Sequence, residues 1–83
     1  MIYENVERIR VAKGVTKSHL ARKLKISLMG YIHITNGDVR LDAERLKVIG
    51  NVLEVDPSVF FDDELTQSVV SAIENESRKE VIK

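Results

Sequence analysis

The stretch from Thr16 to Gly37, TKSHLARKLKISLMGYIHITNG, constrains the fold more than any other part of this chain. It reads as two short helices separated by a tight turn. The Thr16 hydroxyl can accept a hydrogen bond from an orphan backbone N–H and so cap the first helix. Leu20, Ala21 and Leu24 then recur at helical spacing. Lys25-Ile26 interrupts that pattern, and Ser27 offers a second cap. Tyr31 and Ile34, three residues apart, form the next inward pair and face away from Leu28 and Ile32. Asn36-Gly37 stops the second helix, because both residue types tolerate positive φ.

The flanking segments supply the packing partners. Residues 2–13 read as a helix with Ile2, Val6 and Ile9 on one stripe; Glu4, Glu7, Arg8 and Lys13 lie off it. Glu4 and Arg8 are spaced for a favourable i,i+4 pair, and Gly14 ends the helix. After Gly37, Asp38-Val39-Arg40 is a polar connection. Asp42 caps a fourth helix whose inward face is Leu46, Ile49 and Leu53, with Leu41 packing just before it. Gly50 inside that helix costs about 1 kcal/mol relative to Ala, so it marks either a close approach of another helix or a merely tolerated glycine. Asp56-Pro57 is a cap followed by Pro at the first helical position, and a short fifth helix carries Val59, Phe60 and Phe61. At least one Phe is expected to close the core. Asp62-Asp63-Glu64 begins a last helix with Leu65, Val69, Ala72 and Ile73 on its apolar stripe, which fades into the polar run 74–80.

Eighty-three residues predict one domain with a modest core. The chain has no Cys, which removes thiol chemistry, disulfides and cysteine zinc sites. Its apolar runs are too short to span a membrane, and MIYENVERIR lacks a signal-peptide core, so a cytoplasmic protein is expected. Formal net charge is zero, but the charge is unevenly spread. Residues 1–50 carry ten Lys/Arg and five Asp/Glu, a net of +5, and residues 51–83 carry three and eight, a net of −5. That asymmetry suits a molecule with one face toward phosphate; a chance dipole is the alternative.

Two helices about one turn apart, the second with an outer face the core does not use, follow the helix-turn-helix plan, and such a helix fits the DNA major groove. Thr16, Leu20-Ala21, Ile26-Ser27, Asn36-Gly37, the stripe Leu46, Ile49 and Leu53, and then Val55 and Phe60 resemble the Cro/C1-type helix-turn-helix domain of phage repressors and Xre-like regulators. The resemblance covers roughly residues 5–61. It implies an all-α, five-helix, lambda-repressor-like DNA-binding domain over residues 1–61, usually dimeric on a palindromic site of double-stranded DNA. Residues 62–83 are then an additional C-terminal helix that could fold back on its own domain or pair with a second copy; the second is expected, with a frayed end. A homodimer interface is expected from Val59, Phe60, Leu65, Val69, Ala72 and Ile73.

The resemblance places Leu28, Met29, Ile32 and His33 toward base edges. Arg10, Lys17, Ser18, Asn36 and Arg40 are the expected phosphate contacts. Lys17 stands where the family often has Gln, and it can serve a phosphate as a point charge. Thr35 stands where the family often has a Glu that pairs with an Arg at the position of Arg10. Thr35 cannot make that pair, which leaves Arg10 free for a phosphate or simply solvated. Three of the four base-facing residues are apolar and cannot make the bidentate bonds of Arg, Asn or Gln, though they can touch thymine methyls. Gly30 also weakens that helix. An exposed apolar strip equally suits a protein partner, so an interaction module on the same fold is the competing expectation. An enzyme is not expected. The chain has no glycine-rich phosphate loop and no HExxH pair, and His19 and His33 lie on different helices without a carboxylate set. No cofactor, metal ligand or catalytic residue is expected.

Overall fold

Each apolar stripe is preceded by a residue that can cap a helix, and the chain folds accordingly. The computed structural model describes residues 1–82, with side chains described as far as Glu76. It contains α1 (Ile2–Ala12), α2 (Lys17–Lys23), α3 (Leu28–Thr35), α4 (Ala43–Leu53), a 3-10 turn (Pro57–Phe61) and α5 (Asp63–Ile82), with no strand among the described residues. The short fifth helix is therefore a 3-10 turn. Part of the polar run 74–80 lies outside the described side chains.

The caps operate as expected. The His19 N–H donates to Thr16 Oγ at 3.0 Å, and the Gly30 N–H to Ser27 Oγ at 2.9 Å. Arg45 N–H donates to Asp42 Oδ1 at 2.8 Å, and Ser58 N–H to Asp56 Oδ1 at 2.9 Å. Each bond satisfies one donor that a helix start would otherwise leave unpaired. Asp62 does the same for α5, accepting from Glu64 and Leu65. Gly14 and Gly37 take φ values of +71° and +82°, the left-handed region that glycine enters most readily at a helix end.

Ile9, Leu20, Tyr31, Ile49, Leu53 and Phe60 are fully buried and form one core with Val6, Ala21, Leu46 and Val70. Every helix contributes to it except α3's outer side. Gly50 turns out to be a close approach, to the Val55 backbone and to Pro57 at the start of the 3-10 turn. A Cβ there would meet the Val55 carbonyl oxygen at 2.8 Å and Pro57 Cγ at 2.9 Å. The chain reverses just after α4, with Glu54 at φ +58° and the Val55 N–H bonded to the Gly50 carbonyl at 3.0 Å. A backbone oxygen cannot swing away as a side chain can. Gly50→Ala should therefore destabilise the fold by about 1–3 kcal/mol despite its better helix propensity. Urea unfolding measures this, and an unchanged midpoint would show that the loop can yield.

The last helix departs from the expected stripe. Thr66 and Val70 are its buried residues; Val69 and Ile73 are half-buried, and Leu65 and Ala72 are exposed. α5 packs mainly along α1. Thr66 can be buried because its hydroxyl donates to the Val59 carbonyl at 2.8 Å. Asn5 is the counterpart on α1, donating from Nδ2 to the Phe60 carbonyl at 3.0 Å and to Asp63 Oδ1 at 2.9 Å. That bond holds the Asp63 carboxyl below its ordinary pKa. Arg8 bonds Gln67 of α5 instead of pairing with Glu4. Phe60, expected at a dimer interface, has no exposed surface. It fills the core of its own chain and offers nothing to a second one, so it leaves the interface set. Phe61, beside it, is 62% exposed.

Candidate nucleic-acid interface

α3 is a helix of two unlike sides. Its inner side, Tyr31 and Ile34, is buried. On its outer side Leu28, Met29 and His33 are exposed, Met29 at 60%, while Ile32 is half-buried. Ile32 is thus the least available of the four residues expected to face bases. α2 packs against α3 and sets its angle on the core. The turn between them passes through Lys25 at φ +60°, an uncommon conformation for a residue with a side chain. The Ile26 N–H then closes the turn on the Ala21 carbonyl at 3.1 Å.

Exposed polar residues border the outer side of α3 in sequence. Lys17 and Ser18 lie in the first turn of α2 and Asn36 at the C-terminus of α3; Arg40 lies in the following connection. From Thr16 to Arg40 there are five Lys/Arg and one carboxylate, Asp38, so this stretch carries net positive charge. Asp38 Oδ2 lies 3.4 Å from His33 Nδ1. Asp38 and Arg40 also line a shallow groove with Met1, Ile2, Tyr3 and Leu41.

Arg10 does not belong with this set. Its Nε and Nη2 bond the two oxygens of Glu7 at 2.7 and 3.0 Å, and its Nη1 donates to the Val15 carbonyl at 2.7 Å. Only 11% of its side chain is exposed. The carboxylate that Thr35 cannot supply comes from Glu7, one turn earlier on α1, so the guanidinium is neither free for a phosphate nor solvated. Tyr31 completes the network, its hydroxyl donating to Glu7 Oε2 at 2.7 Å. Glu7–Arg10 was legible as an i,i+3 pair, but the approach of Tyr31, 24 residues along the chain, carries no local signal. Asn5 and Thr66 were missed too; a polar residue at an inward helical position was the available clue.

The network is sensitive to acid. Burial works to raise the Glu7 pKa, but hydrogen bonds from Arg10 and Tyr31 and the charges of Arg10 and Lys17 outweigh it. The result is a carboxyl below its ordinary value of 4.5. Burial, and then the hydrogen bond to Glu7, push the Tyr31 hydroxyl well above its ordinary range. A carboxyl lowered by folding adds stability that is present above its unfolded pKa and lost as pH falls through the folded one. Melting temperature should thus decline below about pH 4.5. Glu7→Gln should flatten that decline and cost about 1–3 kcal/mol at neutral pH, because Arg10 loses its charged partner. Parallel pH profiles for parent and variant would take Glu7 out of the acid response.

No helix among the described residues is long and apolar enough to cross a membrane. No cluster of three potential metal ligands occurs among the described residues. No curated protein and no solved structure matches the chain. A family model described as "Helix-turn-helix" matches residues 6–60, a span that runs from inside α1 to the buried Phe60. With two capped helices around a tight turn and an outer helix face left uncovered, the chain belongs to the Cro/C1-type helix-turn-helix family of DNA-binding regulators.

Proposed function

We propose that the chain is a sequence-specific transcriptional regulator, a repressor of the phage or mobile-element type, acting in the cytoplasm. The observation that carries this reading is the division of α3: Tyr31 and Ile34 anchor it, and Leu28, Met29 and His33 are left exposed within a stretch rich in exposed Lys and Arg. In this reading Leu28, Met29 and His33 enter the major groove, with Ile32 at the margin, and Lys17, Ser18, Asn36 and Arg40 hold phosphates. Regulation follows from occupancy of a promoter. Residues 1–61 act as the DNA-binding unit, and residues 62–83 carry the dimer contact.

The dimer would use the outward side of α5, where Leu65 and Ala72 are exposed and Val69 and Ile73 are half-covered, together with Val59 and Phe61. A two-fold pairing there sets two reading helices about one DNA turn, ~34 Å, apart. The acidic charge of this half keeps it away from DNA.

Selection from a random double-stranded DNA library at moderate salt tests the reading, followed by affinity measurements across salt concentration. Lys17→Ala and Arg40→Ala should each weaken binding across sequences and lower the salt slope by about one unit. If both variants keep the parent's affinity and slope, neither residue holds a phosphate. The second reading is a protein-interaction module that grips another regulator through Leu28 and Met29, and the exposure of these two apolar side chains favours it. Absence of salt-dependent DNA binding would select that reading instead.

A further inference from the structure

The outer side of α3 has one exposed side chain able to hydrogen-bond a base edge, His33; Leu28 and Met29 are apolar. His33 in turn has one neighbour that restricts it. Asp38 Oδ2 lies 3.4 Å from His33 Nδ1, and Asp38 is the only carboxylate between Thr16 and Arg40. An ionised carboxylate only accepts hydrogen bonds, so a hydrogen bond across this contact needs the hydrogen on Nδ1. A bond at one imidazole nitrogen sets the role of the other. In the neutral ring this leaves Nε2 without a hydrogen. The other charged groups near α3 are disposed differently. Glu7 and Arg10 of α1 are bonded to each other, and Glu7 to Tyr31, on the buried side. α2 carries exposed Lys17, Arg22 and Lys23 with half-buried His19, and the connection after α3 carries Arg40.

We propose that Asp38 sets what His33 reads: a neutral His33 accepts from an adenine N6 or cytosine N4 amino group, and a protonated His33 donates to guanine instead. This rests on the reading in which α3 lies in the major groove. Adenine and cytosine present the amino donors there, and guanine presents only acceptors, O6 and N7. Leu28 and Met29 add contacts to thymine methyls and no donor for guanine, so the whole face disfavours guanine while His33 is neutral. Protonation places a hydrogen on Nε2 and reverses that one contact.

Two measurements on the full chain test this. Nitrogen-15 NMR of the free protein at about pH 8 reports whether the ring is neutral and which ring nitrogen carries the hydrogen. The parent should carry the hydrogen on Nδ1, and Asp38→Ala should move it to Nε2. Library selection at about pH 8 and about pH 5.5 reports the base, with the ring's protonation at each pH read from the same NMR measurement. The parent should prefer adenine or cytosine at one position by roughly 2–10-fold at the higher pH, one hydrogen bond's worth. That preference should pass to guanine at the lower pH, and in Asp38→Ala at the higher pH. A parent with its hydrogen on Nε2, or with guanine selected under both conditions, overturns the proposal. DNA binding whose base preferences are unchanged in His33→Ala overturns it while leaving the DNA-binding reading intact. Failure to bind DNA at any salt concentration overturns both.

Discussion

Phe60→Ala should remove about 3–5 kcal/mol of stability, the usual cost of deleting a buried aromatic ring without filling the cavity. Phe60 has no exposed surface, and the 3-10 turn that carries it packs on α1, α4 and α5 at once. Its carbonyl accepts the buried Asn5 amide at 3.0 Å, so collapse around the cavity is opposed by a bond that fixes the backbone. A domain of this size is held by roughly 5–15 kcal/mol in total. The melting temperature should therefore drop on the order of 10–40 °C, or the cooperative transition should disappear. Phe61→Ala is the control. That ring is 62% exposed, and its loss should change stability by less than about 0.5 kcal/mol. Equal melting of the two variants would mean that the wrong ring had been placed in the core.

Removing residues 64–83 should abolish cooperative folding rather than release a folded monomer. Thr66 and Val70 are buried against the core, with Val69 packed beside them. Truncation bares the α1 surface they cover and strips the Val59 carbonyl of the Thr66 hydroxyl. Val70 contributes about 1.5–3 kcal/mol and the bared α1 surface adds to it, so the loss reaches the lower end of the roughly 5–15 kcal/mol that holds such a domain. Circular dichroism of the truncated chain checks this; a sharp transition near the parent's would mean that α5 only leans on the core. The oligomeric state is better probed by Leu65→Lys. Leu65 is exposed and outside the core, so the fold should melt within a few tenths of a kcal/mol of the parent. If the outward side of α5 forms the dimer, this variant should sediment as a monomer and bind DNA more weakly. A parent that is itself monomeric would remove the dimer from the proposal.

The lesson about sequence lies in which interactions are local. Thr16, Ser27, Asp42 and Asp56 cap their helices because a cap bonds a backbone N–H two or three residues away, and that is written in the spacing. The inward faces of α1, α3 and α4 follow from helical periodicity for the same reason. Lys25 and Glu54 were not legible as left-handed residues, because Lys and Glu carry no preference for positive φ. In α5 periodicity proposed Leu65, Val69, Ala72 and Ile73, but the buried pair is Thr66 and Val70. The helix has two apolar faces, and only the position of α1 and the Val59 carbonyl decides which is covered.

By itself the sequence determined where the helices start and the two-sided character of α3, since each depends on residues within one or two turns of one another. Tertiary structure alone decided the rest. It turned Arg10 inward onto Glu7 and Val15, and brought Tyr31 to that pair. It made Gly50 obligatory through the Val55 carbonyl, and chose Phe60 over Phe61 for the core. These outcomes depend on groups brought together by packing, and a burial cost or an unpaired polar atom exists only once the helices have closed on one another.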